Sequence, residues 1–156
     1  MGTFGNLNSP VVTGSPTAAG ATWTNLGIVT TVDINGGTVD GVTIATSRVN
    51  PRTTTEASSA TPTINTDNTD IHTITALAAA ITSMTTNLTG TPVNGQRLTI
   101  RILDNATARA ITWGASFASR GATLPTTTTL SKYLYVGFIW NSTTSTWDCV
   151  ASAEEA

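Results

Sequence analysis

Gln96-Arg97-Leu98-Thr99-Ile100-Arg101-Ile102-Leu103 is the stretch from which the fold class is read. Leu98, Ile100 and Ile102 fall on one side of an extended chain, with Arg97, Thr99 and Arg101 on the other. That period of two belongs to a β-strand with one face against a core. Thr91-Pro92-Val93-Asn94-Gly95 before it reads as a turn, and Asp104-Asn105-Ala106-Thr107 after it as the next. Downstream, Ala108 to Trp113 alternates again, and Leu124-Pro125 with four consecutive Thr forms a loop or edge. Tyr133 to Trp140 is an apolar run of strand length, read as a central strand buried on both faces. Asn141 to Ser145 is a polar hairpin loop, and Thr146 to Ala151 a closing strand. Upstream, His72-Thr73-Ile74-Thr75 alternates. Leu77 to Ile81 is Ala-rich and fits either helical turns or a strand. Strands about ten residues apart, with turns between them, predict a sandwich or barrel.

Composition agrees with an all-β chain. The 156 residues are 39% hydrophobic and only 10% charged, against about 25% charged in average domains. Thr takes roughly one position in five, and its β-branched, hydroxylated side chain suits a pleated surface facing water. The formal net charge is -2, and Gly121 to Ser131 carries no charge at all. Sheet edges normally need charged gatekeepers to stay apart, so much of this surface is expected to lie between copies of the chain. The seven basic residues are scattered, which argues against a nucleic-acid partner. No run of about 18 apolar residues predicts a membrane helix. The start, MGTFGNLNSP, lacks the basic and apolar regions of a secretory signal.

Three segments are expected. Residues 1–21 hold Pro10 and Pro16 with little periodicity and read as an extended arm, ordered only against a neighbour. Residues 22–63 read as a short β segment followed by a polar connector. Trp23, Leu26, Ile28 and Val32 anchor the β segment, which is punctuated by Asn35-Gly36 and Gly41. Residues 64–156 form the C-terminal β module.

Chemistry is sparsely represented. His72 is the single His and Cys149 the single Cys, so no disulfide framework exists within the chain. Neither has a nucleophile motif or a ligand set around it. Asp67-Asn68-Thr69-Asp70 offers oxygen ligands, but reads as a turn whose side chains bond their own backbone. Catalytic, cofactor and metal sites are therefore expected to be absent. Trp23, Trp113, Trp140, Trp147, Tyr133 and Tyr135 are the aromatics available to a sugar. Trp140 and Trp147 flank the hairpin loop and can pair across two strands. Arg97 and Arg101 share a strand face and can pair with acids of a neighbouring chain. Asn87, Asn105 and Asn141 match the glycosylation pattern, as chance allows in a Thr-rich chain.

Gly90-Thr91-Pro92-Val93-Asn94-Gly95-Gln96-Arg97-Leu98-Thr99-Ile100-Arg101-Ile102-Leu103-Asp104-Asn105, then Ala108 to Trp113, Leu124 to Thr128, Tyr133 to Gly137 and Trp147-Asp148, resembles a C-terminal module of tailed-phage fibres, spikes and small capsid-associated proteins. The resemblance spans residues 64–151. Asn35 to Val42 is also similar to the Gly-punctuated repeats of trimeric phage fibres. The resemblance implies a β-rich, usually trimeric fold without chemistry of its own. Together with the residues, it sets the expectation of an all-β Greek-key or jelly-roll-like sandwich or barrel, with an extended N-terminal arm and a short intertwined β segment, assembled as a homotrimer. With Met1 as the native start, a compact capsid-surface protein fits the length better than a fibre. The expected role is a decoration or cement protein on the virion, clamping neighbouring subunits of the major capsid protein. The alternative is a tail-fibre or spike tip that binds host surface glycans.

Overall fold

The computed structural model describes residues 50–156. The expected arm (1–21), Trp23 and the β segment as far as residue 49 lie outside the described residues. Eight strands follow in order: β1 (Thr53–Glu56), β2 (Thr63–Asn65), β3 (Ile71–Leu77), β4 (Asn87–Thr89), β5 (Arg97–Asp104), β6 (Phe117–Ser119), β7 (Leu134–Asn141) and β8 (Thr146–Glu154). There is no helix among the described residues, so the all-β expectation holds there.

The arrangement departs from a jelly roll. β1, β3 and β5 pair in parallel, with Thr53 beside Ile71 and Ile71 beside Thr99. β2 and β4 pair in parallel as a second wall. A parallel bridge between Ile81 and Ile111 supplies a third, with Thr82 N–H donating to Ala60 O and Met84 N–H to Thr112 O. The chain thus winds in stacked turns, a solenoid-like course rather than the antiparallel Greek key expected from strand spacing. Alternation reports which side of a strand is buried and says nothing about the direction of its neighbour. The last two strands reverse the pattern. β7 runs antiparallel to β5, and the β7–β8 hairpin adds to the same sheet, giving the order β1-β3-β5-β7-β8-β6. β6 returns parallel to β8.

Thr53–Glu56, read as connector, is therefore the first strand of the main sheet. It donates no large apolar side chain. Thr54 and Glu56 face His72 and Ile74 in register, and the His72 ring bridges Thr54 Oγ1 (2.9 Å) and Glu56 Oε1 (3.0 Å). That polar ladder closes the buried side of an edge strand.

Leu98, Ile100 and Ile102 are at most 1% exposed, as their alternation predicts. Across from them lie Phe138, Val136 and Leu134 of β7. The two-sided burial expected for Tyr133 to Trp140 is not seen. Leu134, Val136 and Phe138 point inward, while Tyr135 is 39% exposed and Gly137 and Ile139 are only partly covered. Opposite Gly137 and Phe138 a bulge leaves Val150 as the extra residue of β8, which turns that strand out of the core after Cys149. Trp113, Phe117 and Phe138 fill the centre in edge-to-face and tilted contacts, with ring centroids 5.0–5.4 Å apart.

Two tight glycines separate crowding from backbone strain. Gly90 (φ 106°) and Gly95 (φ 83°) both sit in the left-handed region. A Cβ on Gly90 would overlap Thr66 Oγ1 and lie 2.9 Å from Asp67 N, whereas one on Gly95 meets nothing within 4 Å. Gly95→Ala is expected to cost about 1 kcal/mol, the backbone term alone. Gly90→Ala should cost at least about 2 kcal/mol, because the β4 corner must also move. Urea unfolding of the two variants checks the order, and equal costs would refute the close approach.

Candidate functional site

Two surfaces stand out, a groove at the hairpin end and the outer face of the main sheet. The groove is built around Trp140. Its backbone is pinned by the end of the Thr91–Gly95 turn and the residue after it, with Gly95 N–H donating to Trp140 O (2.9 Å) and Trp140 N–H to Gln96 O (2.8 Å). Asn94 Oδ1 accepts from Ser142 N–H at 3.2 Å, tying the turn to the hairpin loop. Trp140 and Trp147 are cross-strand neighbours with centroids 5.3 Å apart. Trp147 is buried and Trp140 is partly covered against the core.

On one flank of Trp140 lies a cleft of about 160 Å³, walled by Thr66, Leu88, Pro92, Ser116 and Trp147. On the other flank is an open depression of about 440 Å³ with Asn94, Arg120, Asn141, Thr143 and Asp148. A third depression of about 520 Å³ continues past Asn94 to Arg52, Asp67 and Thr91. Shared residues make these one concave surface: Thr66, Trp140 and Asn94-Gly95 each line two of the three.

Its charges are held in place. Asp148 accepts from the Asn141 amide (2.9 Å) and the Thr146 hydroxyl (2.8 Å), with Arg120 Nε 3.5 Å away. The Asn141 hydrogen bond leads, against desolvation, and with Thr146 and Arg120 holds this carboxyl below its ordinary range. Arg52 grips Asp70 with two guanidinium nitrogens and also donates to Asp67 O. This contact lowers the Asp70 pKa and raises that of Arg52. Asp67 Oδ1 accepts from Thr91 N–H (2.7 Å), and Asn65 Oδ1 from Asp67 N–H (3.0 Å). The Asp67–Asp70 oxygens are thus spent on a turn and an ion pair, and no group of three metal-ligating side chains occurs among the described residues.

The outer sheet face is the second surface. Strand register places Thr53, Ile71, Thr99, Gly137 and Ala151 in one row across five strands. Thr55, Thr73, Arg101, Tyr135 and Ala153 form the next row. Arg101 Nε donates to Thr73 Oγ1 within that row (3.0 Å). Arg97, expected beside Arg101, lies on the same face next to Ile139. Apart from Arg97 and Arg101 these positions carry uncharged side chains, most of them Thr, Gly or Ala.

The remaining candidates are structural. His72 is 1% exposed and engaged at both ring nitrogens. Cys149 is free and fully buried, and burial pushes its thiol pKa up. Trp113 is buried and donates to Pro125 O (2.6 Å), so it cannot present a sugar platform. Tyr133 and Tyr135 lie near each other, with centroids 6.0 Å apart at the far end of β7, away from Trp140. Asp104 is a buried carboxylate that sequence reading placed in a turn. Its signal was parity, since it continues the inward series of Leu98, Ile100 and Ile102.

Fold and surfaces of the described residues define a class: an all-β, solenoid-like arrangement with an outer sheet face and an aromatic groove. No protein family, characterised protein or solved structure matches the chain.

Proposed function

We propose that this chain is a non-enzymatic structural protein of a tailed-phage virion, a homotrimer that decorates the head and clamps neighbouring capsid subunits. The observation that carries this reading is the outer side of β7, which the described residues leave only partly covered. Tyr135, Gly137 and Ile139 form an apolar series in the middle of the six-stranded sheet, and a contiguous apolar stretch at a surface marks an interaction site. A second copy supplies the missing cover. The resemblance over residues 64–151 supports the virion and the trimer. The structural employment of His72 supports a role without catalysis.

Gly137→Arg tests the face. The nearest atom to a Cβ there is Ala151 Cβ at 3.6 Å, an ordinary contact, so the new side chain projects outward without disturbing the core. The wild-type chain is expected to sediment at three times its 16.1 kDa mass, and Gly137→Arg as a monomer with an unchanged melting temperature. A wild-type monomer at high concentration refutes the trimer, and a trimeric variant refutes this face. The capsid role is tested by adding the protein to shells that lack it. Preferential binding to the assembled shell raises its melting temperature, and no shift at saturation refutes the clamp. The alternative role, a fibre or spike tip reading host glycans, is favoured by one feature, the Trp140 groove.

A further inference from the structure

We infer that the groove around Trp140 is a binding site for a neutral saccharide, whichever part of a virion carries it. The argument starts with two indole N–H groups. Trp113 donates its indole proton to Pro125 O, but neither Trp140 nor Trp147 has a protein acceptor among the described residues. Trp147 is 1% exposed, and a polar group so enclosed ordinarily finds a partner. Neither N–H is sealed off, because the buried, unpartnered side-chain atom among the described residues is Arg109 Nε. Both indoles border the same cleft, and Trp140 the wider depression as well, so acceptors are available from what occupies either. A hydroxyl-rich ligand supplies such acceptors.

The surroundings fit a sugar ring in three further ways. Trp140, partly exposed and packed against the buried Trp147, offers an amphipathic aromatic surface of the kind that takes an apolar ring face while its edge stays wet. Polar groups lie beside it, some of them held in place. Asn141 and Asp148 are locked to each other, Arg120 is 54% exposed beside them, and Thr143 lies on the hairpin loop. The Asn141–Asp148 pair, already held, loses little side-chain entropy on binding. The cleft alone is smaller than ordinary ligand pockets of ~300–1,000 Å³, but the 440 Å³ depression lies on the other flank of Trp140, which gives room for a further sugar ring.

The charge pattern selects neutral sugars. Arg52 is matched by Asp70 and Arg120 by Asp148, so among the described residues that line the groove no cation is left over to reward a carboxylated or sulfated ligand.

The test is an array of neutral and uronic- or sialic-acid-containing oligosaccharides, followed by calorimetry and Trp fluorescence with the best neutral binder. Saturable binding of a neutral oligosaccharide is expected, with charged analogues no tighter. Trp140→Ala should weaken it at least about tenfold, or 1.4 kcal/mol, and Trp140→Phe less, because a smaller aromatic face remains. Should Trp140→Ala fail to fold, Arg120→Ala, a change at an exposed position, is expected to weaken binding several-fold with an unchanged melting temperature. Absence of saturable binding overturns the inference, as does binding indifferent to Trp140→Phe and Arg120→Ala. Neither outcome bears on the trimer, which the sedimentation experiment reads separately.

Discussion

Asp104→Ala is expected to lower stability by about 3 kcal/mol, enough to drop the melting temperature by on the order of 10 °C. Asp104 is 4% exposed. Its carboxylate accepts from Thr128 Oγ1 (2.8 Å) and Ser131 N–H (3.0 Å), and the nearby N–H groups of Ala106 and Thr107 lower its pKa further. These donors come from two chain segments far apart in sequence. Thr128 in turn accepts from Arg109 N–H (2.9 Å). The acid therefore fastens the charge-free loop before β7 to the turn after β5. Two of the donors' neighbourhoods are strained: Ala106 (φ 62°) and Ser131 (φ 56°) hold left-handed conformations that only a fixed partner repays. Removing the carboxylate leaves those donors unsatisfied and releases the loop. Limited proteolysis should then cut between Leu124 and Ser131, where the wild type resists. Asp104→Asn, keeping the shape but not the charge, should lose about half as much. A cost under about 1 kcal/mol would show that solvent replaces the carboxylate.

The same residue sets an acid limit. Burial pushes its pKa up, but the hydrogen bonds from Ser131, Thr128, Ala106 and Thr107 outweigh this and bring it below the ordinary 3.8. A carboxylate with a depressed folded-state pKa stabilises fully above its unfolded value. That contribution is lost as pH falls through the folded one. Asp70 and Asp148 shift in the same direction. Melting temperature is expected to be flat above pH 5 and to fall below about pH 4, less steeply in Asp104→Ala.

Alternation made β5 readable from Gln96 to Leu103, and a polar loop between apolar runs did the same for the β7–β8 hairpin, down to the facing of Trp140 and Trp147. β1 was not readable. Thr53-Thr54-Thr55-Glu56 has no apolar member, and its strand exists because β3 offers it a ladder and His72 a partner. Parallel stacking was hidden for a related reason. The signals for winding are long-range hydrogen bonds such as Thr82 N–H to Ala60 O, and Ser, Thr and Ala at such corners look like any polar loop. Of the groove, the Trp pair was legible. Arg120 and Asp148 were not, since their proximity depends on the parallel return of β6 beside β8, a contact no local pattern encodes.

Phe138→Ala is expected to be the most damaging core change tested, at about 3–5 kcal/mol. Phe138 is 2% exposed and sits between Leu98 of β5 and Cys149 of β8 in register. Its ring touches both Phe117 (5.0 Å) and Trp113 (5.3 Å). Neighbours often relax into a truncation and soften its cost, but here they are restrained. Trp113 is held at its indole nitrogen by Pro125 O, and the Phe117 backbone by the Gly114 carbonyl. The cavity therefore persists, and its cost adds to the lost burial. β6 should feel it first. Its ladder to β8 spans three residues, and Phe117 is its one buried anchor. Hydrogen exchange at Phe117–Ser119 should accelerate before exchange at Leu98–Ile102. Phe138→Leu, which keeps most of the volume, should cost about 1–1.5 kcal/mol. Uniform acceleration across both strands would mean that β6 does not depend on the aromatic cluster, and that its pairing with β8 is self-sufficient.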